Sequence, residues 1–258
     1  MRGNLPGNEI KSEKSEKEVK GYDEMDLLLL REFICPACER KFKTCTPKMT
    51  RLIKDKDDAD LRPRYINLDI LKYQVIECPV CGFADLERDF MRVRYDEIKA
   101  YKAQGIKPDM TACLNEGVRG YKEAYMRYKS AIRCNMIRGC SKGKRGYTMM
   151  LAAWLLRGWR EERELLEYTV EDTDPMSEAE EKKLLKYAVK EYEEALMKED
   201  FPIYGITEPT FDYLMAALLY ELGDPDTSTR YVIRALQNKE LKPVYRIKAE
   251  ELRDKLRK

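Results

Sequence analysis

Residues 35–38 read Cys-Pro-Ala-Cys and residues 78–81 read Cys-Pro-Val-Cys. A C-P-x-C loop turns tightly enough to aim both of its sulfurs at one point, and two such loops supply the four thiolates of a tetrahedral zinc site. Cys35, Cys38, Cys78 and Cys81 are therefore predicted to bind one structural zinc ion. The 39 residues between the two pairs are an insertion that this arrangement tolerates.

A disulfide and a catalytic dithiol are the alternatives for these four cysteines. A cytosolic chain keeps structural disulfides reduced, and a thioredoxin-like site needs a single C-x-x-C in a βαβ unit. Four protein sulfurs leave no open coordination position, so the predicted zinc would hold a fold together and would not activate water. Gly82 follows the second pair and allows a close backbone approach, whereas Glu39 follows the first.

Four further cysteines lack the spacing of metal ligands. Cys113 and Cys134 are predicted to be small buried hydrophobic residues. Cys45 lies nearer the first pair, and a spare or exchanging ligand is the alternative to a plain structural role. Cys140, in a glycine-rich stretch, has no assignment.

Composition narrows the possible functions. The chain has 258 residues, of which 43% are apolar and 37% charged, and this is typical of a globular protein. It contains no histidine, which excludes Ser-His-Asp and Cys-His triads, HExxH zinc sites and mixed Cys/His fingers. The net charge of +2 gives no global attraction for nucleic acid. No spacing of carboxylates, lysines or tyrosines indicates a general base, so we expect no enzyme.

The pattern of apolar residues changes along the chain. Residues 27–34 and 70–77 are strand-like, and each run leads into a cysteine pair. Helical spacing follows over residues 86–103, 121–136, 147–166, 211–222 and 243–256, with a break at 139–146. A further helix opens with a capping box formed by Ser177 and Glu180 and ends at Asp200-Phe201-Pro202. After a turn at Gly223-Asp224-Pro225, residues 231–236 form the antiparallel neighbour of the 211–222 helix. We predict a mainly α, α+β protein: a mobile polar tail (1–25), a zinc-ribbon-like module (26–92) and a helical domain (93–258).

The helices after residue 93 are predicted to stack as hairpins. Residues 210–242 read as one tetratricopeptide-like repeat, with Leu222-Gly223-Asp224 at the turn. The earlier pairs fit that repeat more loosely. The last helix, rich in Lys and Arg near its end, is predicted to cap the stack.

These residues resemble those of an uncharacterised prokaryotic family, domain of unknown function 2225. The shared features are the two cysteine pairs, Asp60, Tyr65, Asn67, Tyr73, Gly82-Phe83-Ala84, Asp89-Phe90, Leu151-Ala152-Ala153-Trp154-Leu155, Tyr192-Glu193-Glu194-Ala195, Glu199-Asp200-Phe201-Pro202 and Leu222-Gly223-Asp224. The resemblance covers about residue 33 to the C-terminus. It implies a zinc ribbon followed by tetratricopeptide-like helices, with no established activity. Glu39 and the long polar tail depart from the family pattern.

Two charged stretches have competing interpretations. The basic residues Arg133, Arg138, Lys142, Lys144 and Arg145 are predicted to occupy a helix C-terminus and a solvated loop, with phosphate contacts to nucleic acid as the alternative. The acidic group Glu171, Asp172, Asp174, Glu178, Glu180 and Glu181 is predicted to form a solvated loop and a helix N-terminus rather than a metal cluster.

We expect a non-enzymatic zinc-binding adaptor or scaffold whose helices bind a protein or peptide partner. A nucleic-acid-binding module that uses the zinc ribbon and the basic Arg133 to Arg145 stretch is the first alternative, and a cysteine-based redox sensor that releases zinc is the second. The longest apolar run, residues 149–156, is too short to span a bilayer, so no membrane association is expected. The polar start of the chain predicts a cytoplasmic protein.

Overall fold

A computed structural model describes residues 23–105, 116–171 and 173–257. In this part of the chain two small sheets precede a set of helices. The strands are β1 (Leu28–Ile34), β2 (Lys41–Pro47), β3 (Val75–Glu77) and β4 (Ala84–Leu86). The helices are α1 (Glu87–Phe90), α2 (Tyr95–Ala103), α3 (Tyr121–Ile137), α4 (Lys142–Leu165), α5 (Glu178–Lys198), α6 (Glu208–Glu221), α7 (Pro225–Gln237) and α8 (Pro243–Leu256). The predicted mainly α, α+β class is confirmed.

Each sheet is an antiparallel hairpin. Leu28 lies opposite Pro47 in the first, and Val75 lies opposite Leu86 in the second. The first predicted strand is confirmed, but residues 70–77 are only partly strand. Ile70–Tyr73 form a 3₁₀ helix because the Asp69 carboxylate accepts the Leu71 N–H at 2.9 Å and caps that turn.

The helix predicted over residues 86–103 is wrong as a single element. The chain forms α1, turns after Met91 and starts α2 at Tyr95. The fully buried Phe90 side chain packs edge-on against Phe83, with ring centroids 5.5 Å apart. This contact holds α1 against the hairpins, so α2 leaves in its own direction.

The glycine-rich break predicted at residues 139–146 is also wrong for most of its length. Helix α4 begins at Lys142, and the Ser141 hydroxyl accepts the Lys144 N–H at its N-terminus. A Cβ atom on Gly143 would lie 2.5 Å from Ile203 Cγ2, and one on Gly146 would lie 3.0 Å from the Tyr192 ring. These two glycines therefore provide a close approach within α4 and do not end a helix.

The later helices follow the predicted order. The Ser177 hydroxyl accepts the Glu180 N–H at the start of α5, as the capping pattern predicts. The turn between α6 and α7 passes through Gly223, whose φ of +80° suits a residue without a Cβ. Ala249 and Leu252 of α8 are buried in one cluster with Tyr213 of α6 and Val232 of α7, so the last helix covers that end of the stack.

One apolar core runs through the ribbon and the helices. It contains Phe33 and Phe83 from the hairpins together with Ala131 of α3, Trp154 of α4 and Tyr192 of α5. The predicted boundary at residues 92 and 93 therefore separates stretches that pack against each other in three dimensions.

Residues 54–69, here called the strap, cross from the ribbon to the helices. The Asp60 carboxylate is fully buried and accepts the Trp154 indole N–H of α4 at 2.6 Å. The Tyr213 hydroxyl of α6 donates to the Ala59 carbonyl. The Lys248 ammonium of α8 donates to two strap carbonyls at 2.8 Å. The strap thus binds three helices that are far from it in sequence.

The predicted mobile tail (1–25) lies outside the described residues up to position 22. Glu24, however, begins a 3₁₀ helix (Glu24–Leu27) capped by Asp23. Its carboxylate pairs with the Lys72 ammonium and accepts the Tyr73 hydroxyl at 2.6 Å. Placing residues 23–25 in the tail is wrong, because these bonds tie them to the fold.

Candidate metal centre

The two cysteine pairs form turns of the same kind. In each, the N–H of the first cysteine donates to the carbonyl five residues further on, at 3.0 Å for Cys35 and 2.8 Å for Cys78. The N–H four residues further on donates back to the carbonyl of that cysteine, at 2.8 Å from Glu39 and 2.9 Å from Gly82. Each turn closes its own hairpin, so the hairpins place the cysteines.

The structure brings the four predicted sulfurs together. All four Sγ atoms lie within 4.8 Å of one another. The Cys35 and Cys81 sulfurs are 3.5 Å apart, and those of Cys38 and Cys78 are 3.6 Å apart. A disulfide bond is about 2.0 Å long, so these are free thiols. Among the residues that the structure describes, this is the one group of side chains that could hold a metal ion.

Hydrogen bonds among the sulfurs of Cys35, Cys78 and Cys81 shift the pKa values of these three thiols in different directions. The interaction with Cys35 lowers the pKa of Cys78 to about 2, and the same interaction raises the pKa of Cys35 to about 12. The pKa of Cys81 is raised by Cys35 and Cys78. Crowded thiols cannot all ionise without a cation among them, and a bound metal ion supplies that cation.

Helices α2 and α3 support the centre from one side. The Tyr101 hydroxyl of α2 donates to the Cys81 carbonyl at 2.8 Å. The fully buried Cys134 thiol of α3 lies 3.9 Å from the Gly82 carbonyl. Burial of Cys134 was predicted and is confirmed, but its position behind the second turn was not evident from the sequence.

The other cysteines lie apart from the four sulfurs. Cys45 is buried beside Leu27 and Leu68, and its sulfur accepts the Gly117 N–H at 3.3 Å. Nothing in this position supports the spare-ligand alternative. The Cys140 sulfur accepts a bond of 2.9 Å from the Arg138 guanidinium. Cys113 lies outside the described residues.

The basic stretch is neither a solvated loop nor a free cationic patch. Arg138 and Lys144 both lie 2.8 Å from the buried Asp85 carboxylate. Lys142 and Arg145 pair with Glu191 of α5. The predicted loop is wrong because these carboxylates, distant in sequence, draw four of the five cations into the fold. Arg133 alone of the five stays exposed without a carboxylate partner in the described part of the chain.

The acidic group is also only partly solvated. Glu178 is exposed and starts α5 as predicted, whereas Asp172 lies outside the described residues. Glu181 is buried and binds the Arg157 guanidinium at 2.7 Å and the Arg160 guanidinium at 2.6 Å. Glu181 precedes the buried Leu185 of α5 by four residues, about one helical turn, and this spacing was the signal in the sequence that the Glu181 side chain faces inward.

Arg157 is the centre of a charge network that the sequence did not reveal. Its guanidinium contacts the carboxylates of Asp60 at 3.0 Å, Glu181 at 2.7 Å and Glu221 at 2.8 Å. Burial and the nearby Asp60 carboxylate raise the pKa of Glu221 to about 7. Strap, α4, α5 and α6 are thus joined by ionic contacts.

A second network joins the strap to the end of α4. The buried Arg62 guanidinium donates to Glu161 at 3.2 Å and to Asp69 at 3.2 Å. Arg64 donates to both Glu161 oxygens. Burial opposes ionisation of Glu161, but Arg64 and Arg62 nevertheless lower its pKa. These residues line a cavity of about 560 Å³ between strap and helix.

No helix in the described ranges combines the length and the hydropathy that crossing a bilayer requires. Comparison with known proteins gives one family. The sequence profile described as "Uncharacterized protein conserved in bacteria (DUF2225)" matches residues 28–257, which include both cysteine pairs and helices α1 to α8. No curated protein and no solved structure matches the chain.

Proposed function

We propose that this chain, which belongs to the uncharacterized bacterial family DUF2225, is a non-enzymatic cytoplasmic adaptor. One zinc ion would hold the ribbon together, and a surface at the end of α4 would bind a segment of a partner protein. The convergence of four thiols carries the first half of this proposal. The exposed apolar end of α4, beside the cavity of about 560 Å³ between the strap and α4, carries the second.

The donor set suits zinc. Zn–S bonds of about 2.3 Å in a tetrahedron separate the sulfurs by roughly 3.8 Å. The sulfur distances of 3.5 and 3.6 Å come close to that spacing. An all-thiolate set without carboxylates favours a soft or borderline metal over Mg²⁺ or Ca²⁺.

The proposed zinc would act on the fold and not on a substrate. Cys35, Cys38, Cys78 and Cys81 would fill its four coordination positions and leave none for a reacting water. Each cysteine pair closes a separate hairpin, so the ion would connect two hairpins that belong to different sheets. A reducing cytoplasm keeps such thiols available for metal.

The proposed partner surface lies where the strap meets the end of α4. The Leu165 side chain is 85% exposed, Leu166 is 60% exposed, and Ile66 of the strap is 54% exposed beside them. All three line the 560 Å³ cavity. Such a cluster of exposed apolar side chains at a cavity is typical of an interaction site.

The charged groups of this cavity other than Glu162 already have partners within the chain. Arg64 pairs with Glu161, and Lys72 pairs with Glu24. Apolar contact is therefore what the surface offers, and the expected ligand is a peptide segment that inserts leucine-like or aromatic side chains.

Site-specific photo-crosslinking tests the partner surface. A photoreactive amino acid at position 165 of the full-length, zinc-loaded protein should give a discrete crosslinked protein in native cells after nuclease treatment. The matched control carries it at Met197, which is 82% exposed on α5. Equal crosslinking at both positions, or none at 165, contradicts the adaptor proposal.

A further inference from the structure

We propose that the exposed faces of α3 and α5 form a binding surface for single-stranded nucleic acid, separate from both the cysteine centre and the cavity at the end of α4. This inference does not depend on the adaptor proposal. Five exposed cations have no carboxylate partner in the part of the chain that the structure describes. They are Lys122, Lys129, Arg133, Lys186 and Lys190.

Position on the helices gathers these cations into lines. Lys122, Lys129 and Arg133 fall on one side of α3 at seven-residue and four-residue spacing. On α5, Lys186 and Lys190 continue the line that Lys182 begins, one helical turn apart. Lys182 and Lys183 pair only with exposed carboxylates of their own helix, and such pairs contribute little and exchange readily.

Helices α3 and α5 both pack against α4. Burial raises the pKa of Tyr125 on α3, and the Glu180 and Lys183 charges on α5 act on the same hydroxyl in opposite directions. The Lys129 ammonium of α3 lies 5.7 Å from the centre of the Tyr125 ring. Tyr125 therefore lies beside Lys129 of α3 and within electrostatic reach of the start of α5.

The cations are interleaved with an exposed aromatic ring. Tyr187 is 51% exposed. With Lys182, Lys183 and Lys186 it lines a shallow cavity of about 430 Å³ on α5. Single-stranded nucleic acids bind to surfaces that combine lysines along the phosphate backbone with aromatic rings on which bases stack.

This composition favours nucleic acid over an acidic protein. The centres of protein–protein interfaces are depleted in lysine, whereas phosphate contacts depend on it. The cations Arg138, Lys142, Lys144 and Arg145 differ from those on this surface, because each of them pairs with a carboxylate of the fold. The carboxylates of these two helix faces lie toward their ends, Glu123 in the first turn of α3, Glu178 and Glu180 in the first turn of α5, and Glu193 further along α5.

Fluorescence anisotropy of a labelled 12-nucleotide oligouridylate with the full-length, zinc-loaded protein tests the proposal. We expect binding at 50 mM salt, with a slope of log affinity against log salt of about −3 for roughly five phosphate contacts. Lys186→Ala with Lys190→Ala should weaken binding about ten-fold and make the slope shallower by about one. The control with the same charge change, Lys239→Ala with Lys255→Ala, should bind as the wild type does.

Substitution of Tyr187 tests whether the bound polyanion is a nucleic acid, because the bases of a nucleic acid would stack on this ring. Tyr187→Ala should weaken binding by roughly five- to a hundred-fold, and Tyr187→Phe should restore it. Circular dichroism of each variant checks that the helices are retained. No binding at 50 mM salt, equal loss in the control pair, or equally tight binding of a polyglutamate peptide of the same length overturns the proposal. The crosslinking result at position 165 is unaffected by any of these outcomes.

Discussion

Glu39 and Gly82 hold the same left-handed backbone conformation at equivalent places in the two cysteine turns, with φ angles of +62° and +73°. Each N–H closes its turn on the carbonyl of the first cysteine. Glycine adopts this conformation without cost, whereas a residue with a Cβ pays about 1 kcal/mol or more. The Cys-Pro-x-Cys sequence therefore determines the conformation of the turn, and the residue that follows its second cysteine changes only the stability of the turn.

Replacing Glu39 by glycine should stabilise the protein by about 1 kcal/mol, because it relieves the left-handed strain in the first turn. Denaturant unfolding of the zinc-loaded protein measures the change. Gly82→Ala introduces the same strain in the second turn and should destabilise by a similar amount. A loss of stability in Glu39→Gly would show that the Glu39 side chain contributes more than its backbone costs.

Metal content should depend on the four cysteines alone. The purified protein should carry one zinc ion, and Cys78→Ser with Cys81→Ser should remove it, because two sulfurs cannot retain the ion. Elemental analysis is the measurement. Cys45→Ala provides the control, since its sulfur lies outside the cluster, and it should keep the metal. Iron in place of zinc, or retention of zinc in the double variant, would contradict this assignment.

Gly158→Ala should destabilise the protein by about 1–3 kcal/mol, although alanine usually stabilises a helix relative to glycine. An added Cβ would lie 2.6 Å from both the Arg62 guanidinium and the Asp69 carboxylate, so these two side chains of the strap would have to shift and their ion pair would be disturbed. Thermal unfolding reports the loss. Gly120→Ala is the control, since a Cβ there meets nothing within 4 Å. A neutral or stabilising effect at position 158 would mean that the strap is not held where the structure places it.

Glu221→Gln should change the pH dependence of stability. The folded pKa of Glu221, about 7, lies above its ordinary value of 4.5, so protonation favours the folded state. This contribution is complete below about pH 4.5 and is lost as the pH rises through 7. The difference in unfolding free energy between wild type and variant should therefore shift by roughly 1–3 kcal/mol between pH 5 and pH 8, in favour of the variant at the higher pH. Glu240→Gln, at an exposed position, should show no such shift.

The cysteine centre and the helix order could be predicted from the sequence because their causes are local. A C-P-x-C turn is formed by four consecutive residues. The Ser177 hydroxyl caps the first turn of its own helix, and the helical spacing of apolar residues in α5 can be recognised within its 21 residues. Such signals do not need a distant partner to be recognised.

The tertiary structure determined which charges and glycines are buried. Asp60, Arg157 and Gly158 have no local pattern, and their environment comes from elements about a hundred residues apart in sequence. Glycine is a weak helix former, but Gly143 lies inside α4, where the absence of a Cβ leaves room for Ile203. Four of the five cations of the Arg133 to Arg145 stretch are likewise neutralised by carboxylates from β4 and α5. Packing and ion pairing act between surfaces, so their outcome depends on which elements the fold brings together, and no short window of sequence contains both partners.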